Sequence, residues 1–164
     1  MMHDGIGFRP GLIGIPSLMY KAIGSDGSVH YYPKPPANVF KMFAMMTGRR
    51  NSVVLPASSG LGAFASSDAT SAGVLVYNYN SSFTDTAQTF SVELNNLPFD
   101  GTVTARRYLV DAYTSNLEAF LTQPGQPDPS LQMVEQFTVQ IVNGQLILPA
   151  RSLGLGVTFW QILG

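Results

Sequence analysis

Beyond residue 50 apolar and polar side chains alternate in short stretches: Val74 and Val76 against Leu75, Tyr77 and Tyr79, then Phe90, Val92 and Leu94 separated by Ser91 and Glu93. A period of two marks strands with one face on a core and the other toward solvent. Similar runs cover residues 52–57, 61–66, 102–110, 136–142, 145–149 and 155–162, and Asn143-Gly144 is a two-residue hairpin turn. About eight short strands punctuated by Gly, Pro, Asn and Asp predict a mainly β chain, an antiparallel β-sandwich, because a parallel sheet requires a helix between successive strands.

Before residue 50 the pattern differs. Residues 1–35 carry Gly5, Gly7, Pro10, Gly11, Gly14 and Pro16, with Ser25-Asp26-Gly27 as a turn signal and little core-forming periodicity. Residues 36–48 read as a helix, with Pro35 or Pro36 in the first turn, an apolar stripe of Val39, Phe40, Phe43 and Met46, and Gly48 as the stop. Arg49-Arg50 then sit where cations favour the negative end of the helix dipole. Further helical turns are expected at 116–123 and 129–135, and Gln123 to Pro129 reads as an extended loop.

Composition narrows the chemistry. The chain has 164 residues, 45% hydrophobic and only 12% charged, enough to bury one main core. Nine basic and ten acidic side chains remove the electrostatic case for nucleic acid or an anionic membrane as partner, and leave neutral polymers such as polysaccharides compatible. With Cys absent and His3 and His30 far apart, neither a thiolate site nor a histidine ligand pair is expected, and no loop has the acidic spacing that nominates calcium ligands. No cofactor is expected: phosphate loops, dinucleotide fingerprints and nucleophile elbows are missing, and Ser59-Gly60-Leu61-Gly62 reads as turn. The start of the sequence lacks a charged lead with a long apolar run, and the expectation is either that export is not encoded here or that its signal lies upstream.

Glycoside hydrolysis requires two converging carboxyl groups. Glu93, Glu118 and Glu135 are the three glutamates, and none is paired by the sequence pattern; the aspartates mostly adjoin Gly, Ser, Thr or Pro, where they cap turns. Sugar binding asks for less, an aromatic face and a few hydrogen-bonding groups. Tyr77 and Tyr79 share a strand face with Leu75 and Trp160 lies in an apolar strand, so packing accounts for them; Tyr31, Tyr32 and Tyr113 are less constrained.

Several segments resemble the C-terminal end of glycoside hydrolase family 39. Gly11-Leu12-Ile13 and Tyr32-Pro33-Lys34-Pro35-Pro36-Ala37-Asn38-Val39-Phe40-Lys41-Met42-Phe43 look like the last barrel strand region and last helix, and Val74-Leu75-Val76-Tyr77-Asn78-Tyr79 like an accessory-domain strand. Arg107-Tyr108-Leu109-Val110-Asp111 with Ser115-Asn116 is similar to the family's Arg-Tyr-x-x-Asp and Ser-Asn pattern, followed by Gly125-Gln126-Pro127. Thr114 stands where many relatives have His, and no Trp follows in 117–124. The resemblance implies residues 1–48 as the end of a (β/α)8 barrel, with helix 36–48 left over from it, and 49–164 as a β-sandwich accessory domain, from a parent expected to be secreted and xylosidase-like. Its catalytic glutamates lie on earlier barrel strands, and no Asn-Glu pair occurs here to carry them.

The expected function is therefore a non-catalytic accessory domain, structural or carbohydrate-binding, with Tyr31, Tyr32, Tyr113, Asp111, Ser115 and Asn116 as the candidate sugar-contacting residues. The alternatives are an autonomous module for plant polysaccharide or oligosaccharide and a truncated glycosidase that retains activity. The Phe- and Met-rich helix deprived of its barrel also predicts self-association, through the N-terminal segment.

Overall fold

A computed structural model describes residues 18–56, 60–79 and 86–164. Ten strands and two helices are present among them, where the sequence pattern anticipates about eight strands. β1 (Met19–Ile23) and β2 (Val29–Pro33) form a hairpin around the Ser25-Asp26-Gly27 turn. After α1 (Pro35–Ala44), β3 (Arg49–Asn51), β4 (Leu61–Ser67), β5 (Ser71–Asn78), β10 (Gly156–Leu163), β7 (Gly101–Val110) and β8 (Gln132–Ile141) make a six-stranded antiparallel sheet in the order β3-β4-β5-β10-β7-β8. β6 (Gln88–Leu94) and β9 (Leu146–Leu153) pair as a second, two-stranded sheet, and α2 (Leu117–Thr122) follows β7.

β10 explains the layering. Its sequence is nearly all apolar, so both faces of this central strand must be covered. Trp160 and Ile162 face the small sheet and pack with Val74, Val76, Ala105, Leu146, Leu148 and Leu153 in an inner core. Phe159, one residue out of phase, faces α1 and packs with Leu75, Val110 and Met42 in a second core. Its cross-strand neighbours Leu75 and Tyr108 continue that outer layer.

The helix differs from its expectation in length and in the face it buries. It ends at Ala44, and Gly48, at φ 74, forms the turn into β3, where a side chain would collide with the Ser67 backbone. Met42 is fully buried and Ala37 and Asn38 are buried, whereas Phe40 of the expected stripe is 61% exposed and Phe43 also reaches solvent, its ring edge against Phe64. An Asn38–Met42 spacing of four residues sets the inner stripe, with Val39 and Met46 at its flanks.

Four smaller expectations are also corrected. Residues 52–56 are not strand, the edge strand being β3, which holds Arg49 and Arg50; the Arg50 guanidinium lies 5.8 Å over the Phe64 ring rather than against the helix end. Residues from Gln132 onward extend as β8 instead of forming a helical turn. Tyr77 packs on Phe64, but Tyr79 lies past the end of β5 and is exposed. Expectations for residues 1–17, and for position 57 of the 52–57 run, lie outside the described residues.

Two predictions follow from this packing. Met42→Ala should lower the free energy of urea unfolding by about 2–5 kcal/mol, and Phe40→Ala should change it by less than about 0.5 kcal/mol; equal effects would contradict the inner stripe. In the β4–β5 turn Asp68 Oδ1 accepts from the Thr70 and Ser71 backbone N–H groups and the Ser71 hydroxyl, at 2.9, 2.8 and 3.0 Å. The Thr70 N–H, then Thr47 and Ser71, hold its pKa down from 3.8 to about 2. A lowered folded-state value means that this contribution is complete above pH 3.8 and is lost as pH falls through about 2, so Asp68→Ala should flatten the acid loss of stability over that window.

Candidate functional site

The loop between β7 and α2 gathers four of the six candidate residues and their neighbours. Asp111 accepts hydrogen bonds from the Tyr113 and Thr114 N–H groups through one carboxylate oxygen, at 2.8 and 2.7 Å, an Asx turn that closes the loop on itself. The Asn116 amide donates to the Asp111 carbonyl at 2.7 Å, and its Oδ1 accepts from Glu118 N at 2.9 Å, capping α2. Ser115, at φ 52, accepts from Gln132 N through Oγ at 2.8 Å. Asp111, Ser115 and Asn116 are thus engaged with backbone groups of their own loop, of α2 and of the start of β8.

A residue the sequence pattern passes over fixes this loop. Asn38, fully buried in α1, donates its amide protons to the carbonyls of Ser115 at 2.8 Å and Pro129 at 2.7 Å, joining the helix to the 111–116 loop and to the segment before β8. Its Oδ1 is buried without a hydrogen-bond partner among the described residues. The signal available in the sequence was a single polar side chain four residues ahead of Met42 on the helix.

The aromatic candidates part company. The Tyr32 ring lies 4.6 Å from that of Phe120 on α2 and is stacked with His30, so it helps seat the β1–β2 hairpin on α2. Tyr31, its neighbour on the opposite face of β2, is 58% exposed, and Tyr113, at the tip of the Asx turn, is 68% exposed. These two present rings to solvent. An open depression of about 440 Å3 lies elsewhere, between β3, residues 52–55 and β4, and is lined by Arg50, Asn51, Val53 and Phe64 among others; no candidate residue reaches it.

The three glutamates are each engaged or exposed separately rather than set as a hydrolytic pair. Glu93 accepts from the Asn95 amide on the surface and Glu118 is exposed in the first turn of α2. Glu135 is bracketed by cations: Arg151 donates from Nη2 and Nε at 2.6 and 2.9 Å, and Arg107 Nη1 stands 3.7 Å away. Arg107 also donates from Nε to Thr158 Oγ1 at 3.1 Å and lies 5.8 Å over the Trp160 ring, so the cluster ties β7, β8 and β10 of the large sheet to β9 of the small one. Burial pushes the Arg107 pKa down, the hydrogen bonds that Arg151 donates to Glu135 raise its own, and both guanidinium groups stay charged at neutral pH. Among the described residues no three His, Asp or Glu side chains come together as a metal-binding group.

The fold is shared with parts of longer chains. No sequence-family profile matches, and no curated protein does. Among solved structures, a bacterial orthologue of human α-L-iduronidase superposes with a TM-score of 0.71 at 9% identity over 90% of this chain. A family 39 glycoside hydrolase from Xanthomonas axonopodis pv. citri gives 0.57 at 13% identity over 86%, and a protein from Neocallimastix frontalis 0.56 at 17% over 80%. In each case the chain spans 31% of the other's length. The architecture is accordingly that of a partial region of glycoside hydrolase chains, a likeness of fold.

The Asn38 bonds yield a prediction. Asn38→Ala leaves two buried carbonyls without donors and should cost about 2–4 kcal/mol in urea unfolding, with faster amide exchange at Gln132. Tyr113→Ala should stay within about 0.5 kcal/mol of the parent.

Proposed function

We propose that this chain is the non-catalytic β-sandwich accessory domain of a family 39-like glycosidase and that its role is structural, supporting and orienting a (β/α)8 barrel. The observation that carries this reading is the site itself. Three candidate polar residues, Asp111, Ser115 and Asn116, hold backbone groups in place, and the one partly buried glutamate, Glu135, is neutralised by two arginines. The shared fold, occupying 31% of each longer chain, supports the assignment to an accessory region. The outward side of α1, where Phe40 and Phe43 reach solvent, is the surface on which the barrel rests in this reading.

A second reading, a carbohydrate-binding module, is favoured by the solvent-facing rings of Tyr31 and Tyr113, which suit stacking on a pyranose. Calorimetry of the chain against xylan, arabinan, glucan, mannan and galactan oligomers separates the two. The structural role expects no heat of binding across the panel. Saturable binding to one class, lost in Tyr31→Ala or Tyr113→Ala, would replace it with the module. Both readings expect no turnover of aryl xylosides by the chain alone, and steady release of the aryl group would overturn both.

A further inference from the structure

Exposed strand edges are ordinarily blunted by short length, charge, proline or bulges. Three of the edges in this sandwich follow that rule. β3 has three residues and carries Arg49 and Arg50; β6 is irregular between Phe90 and Val92; β9 contains Pro149. β8, at the opposite edge of the large sheet, is different. It runs ten residues without proline or lysine and, among the described residues, pairs on one side only, with β7. β9 leaves it after the Val142–Gln145 bridge to pair with β6. The one charge on β8, Glu135, is held by Arg107 and Arg151, and the single irregularity leaves Val134 unpaired, so residues from Glu135 to Ile141 stay in regular register.

We infer that β8 pairs with β8 of a second copy, antiparallel across a two-fold axis at Thr138, to join two six-stranded sheets into one. The strand's own sequence favours a copy of itself as the occupant. Centred on Thr138, the pairing sets Thr138 against the partner's Thr138 and Gln136 against the partner's Gln140 on one face, and Phe137 against the partner's Val139 on the other. No like charges meet. Beyond each end Val134, 40% exposed, comes beside the partner's Val142, a residue 61% exposed in the single chain, which removes apolar surface that the isolated sandwich leaves in water. A net charge of −1 offers little repulsion between copies.

Sedimentation velocity across a micromolar dilution series tests this. The parent chain should dimerise; Thr138→Lys and Thr138→Glu, each alone, should weaken the dimer about fivefold, and a mixture of the two should recover it. As the chain contains no cysteine, Thr138→Cys supplies a single thiol, which should give a disulfide-linked dimer under mild oxidation while Thr70→Cys does not. Unchanged circular dichroism of the variants would tie the effects to association rather than folding. A parent that remains monomeric throughout overturns the proposal, as does a dimer that Phe40→Glu dissolves and Thr138→Lys leaves intact. The accessory-domain reading is tested separately, by glycan binding and turnover.

Discussion

The structure depends on one constraint: β10 lies in the middle of the large sheet with apolar side chains on both faces, and neither face can be left to water. Trp160 and Ile162 require a second sheet, which β6 and β9 supply, and Phe159 requires a cover on the other side, which Met42 of α1 supplies. Each buried aliphatic or aromatic side chain contributes about 1.5–3 kcal/mol relative to exposure, so neither layer is an ornament to the other. The glycine at position 73 belongs to the same solution, because the Phe159 ring approaches it closely enough that an added Cβ would come within 3.0 Å.

Around this frame polar groups act mainly as fasteners. Asn38 reaches 77 and 91 residues along the chain to the carbonyls of Ser115 and Pro129, and its bonds determine which side of α1 turns inward. On the other side of the sheet, Asn78 plays a comparable part by donating to the carbonyls of Thr86 and Leu153, tying β5 to the approaches of β6 and β9. Asp26, Asp68 and Asp128 each accept the N–H group two residues ahead and so hold turns; the Ser28 hydroxyl and then its N–H lower the pKa of Asp26, and the Thr70 and Ser130 N–H groups lead the lowering at Asp68 and Asp128. In the folded chain the polar side chains with the strongest sequence claim to function are therefore the ones most engaged in holding loops.

Much of the sandwich was legible because alternation is a local property. β4, β5, β6, β7, β9 and β10 fall where apolar and polar positions alternate or where an apolar run is bounded by turns, and Asn143-Gly144 forms the tight turn its dipeptide specifies, at φ 53 and 68. What failed depended on distant partners. Met133 and Val134 stand side by side in β8, and that break in alternation, caused by the unpaired Val134, disguised the strand's start as a helical turn. The β1–β2 hairpin was hidden because it packs on α2, through Tyr32 and Phe120, rather than contributing to a core of its own. The turn roles of Asp111 and Asn116 were local and readable; that of Asn38, closed by two remote carbonyls, was not.

The placement of Trp160 gives the molecule an uneven optical signature. It is the chain's single tryptophan, nearly inaccessible, with the Phe137 ring edge-on at 5.9 Å and the Arg107 guanidinium at 5.8 Å, all within the inner layer. The outer layer beneath α1 holds Tyr77 and Tyr108 instead. Indole emission therefore reports on the contact between the two sheets, and the signals of Tyr77 and Tyr108, resolved from the chain's other tyrosines by substitution, on the seating of the helix. Were the two layers to loosen separately, the two fluorophores would register it at different denaturant concentrations.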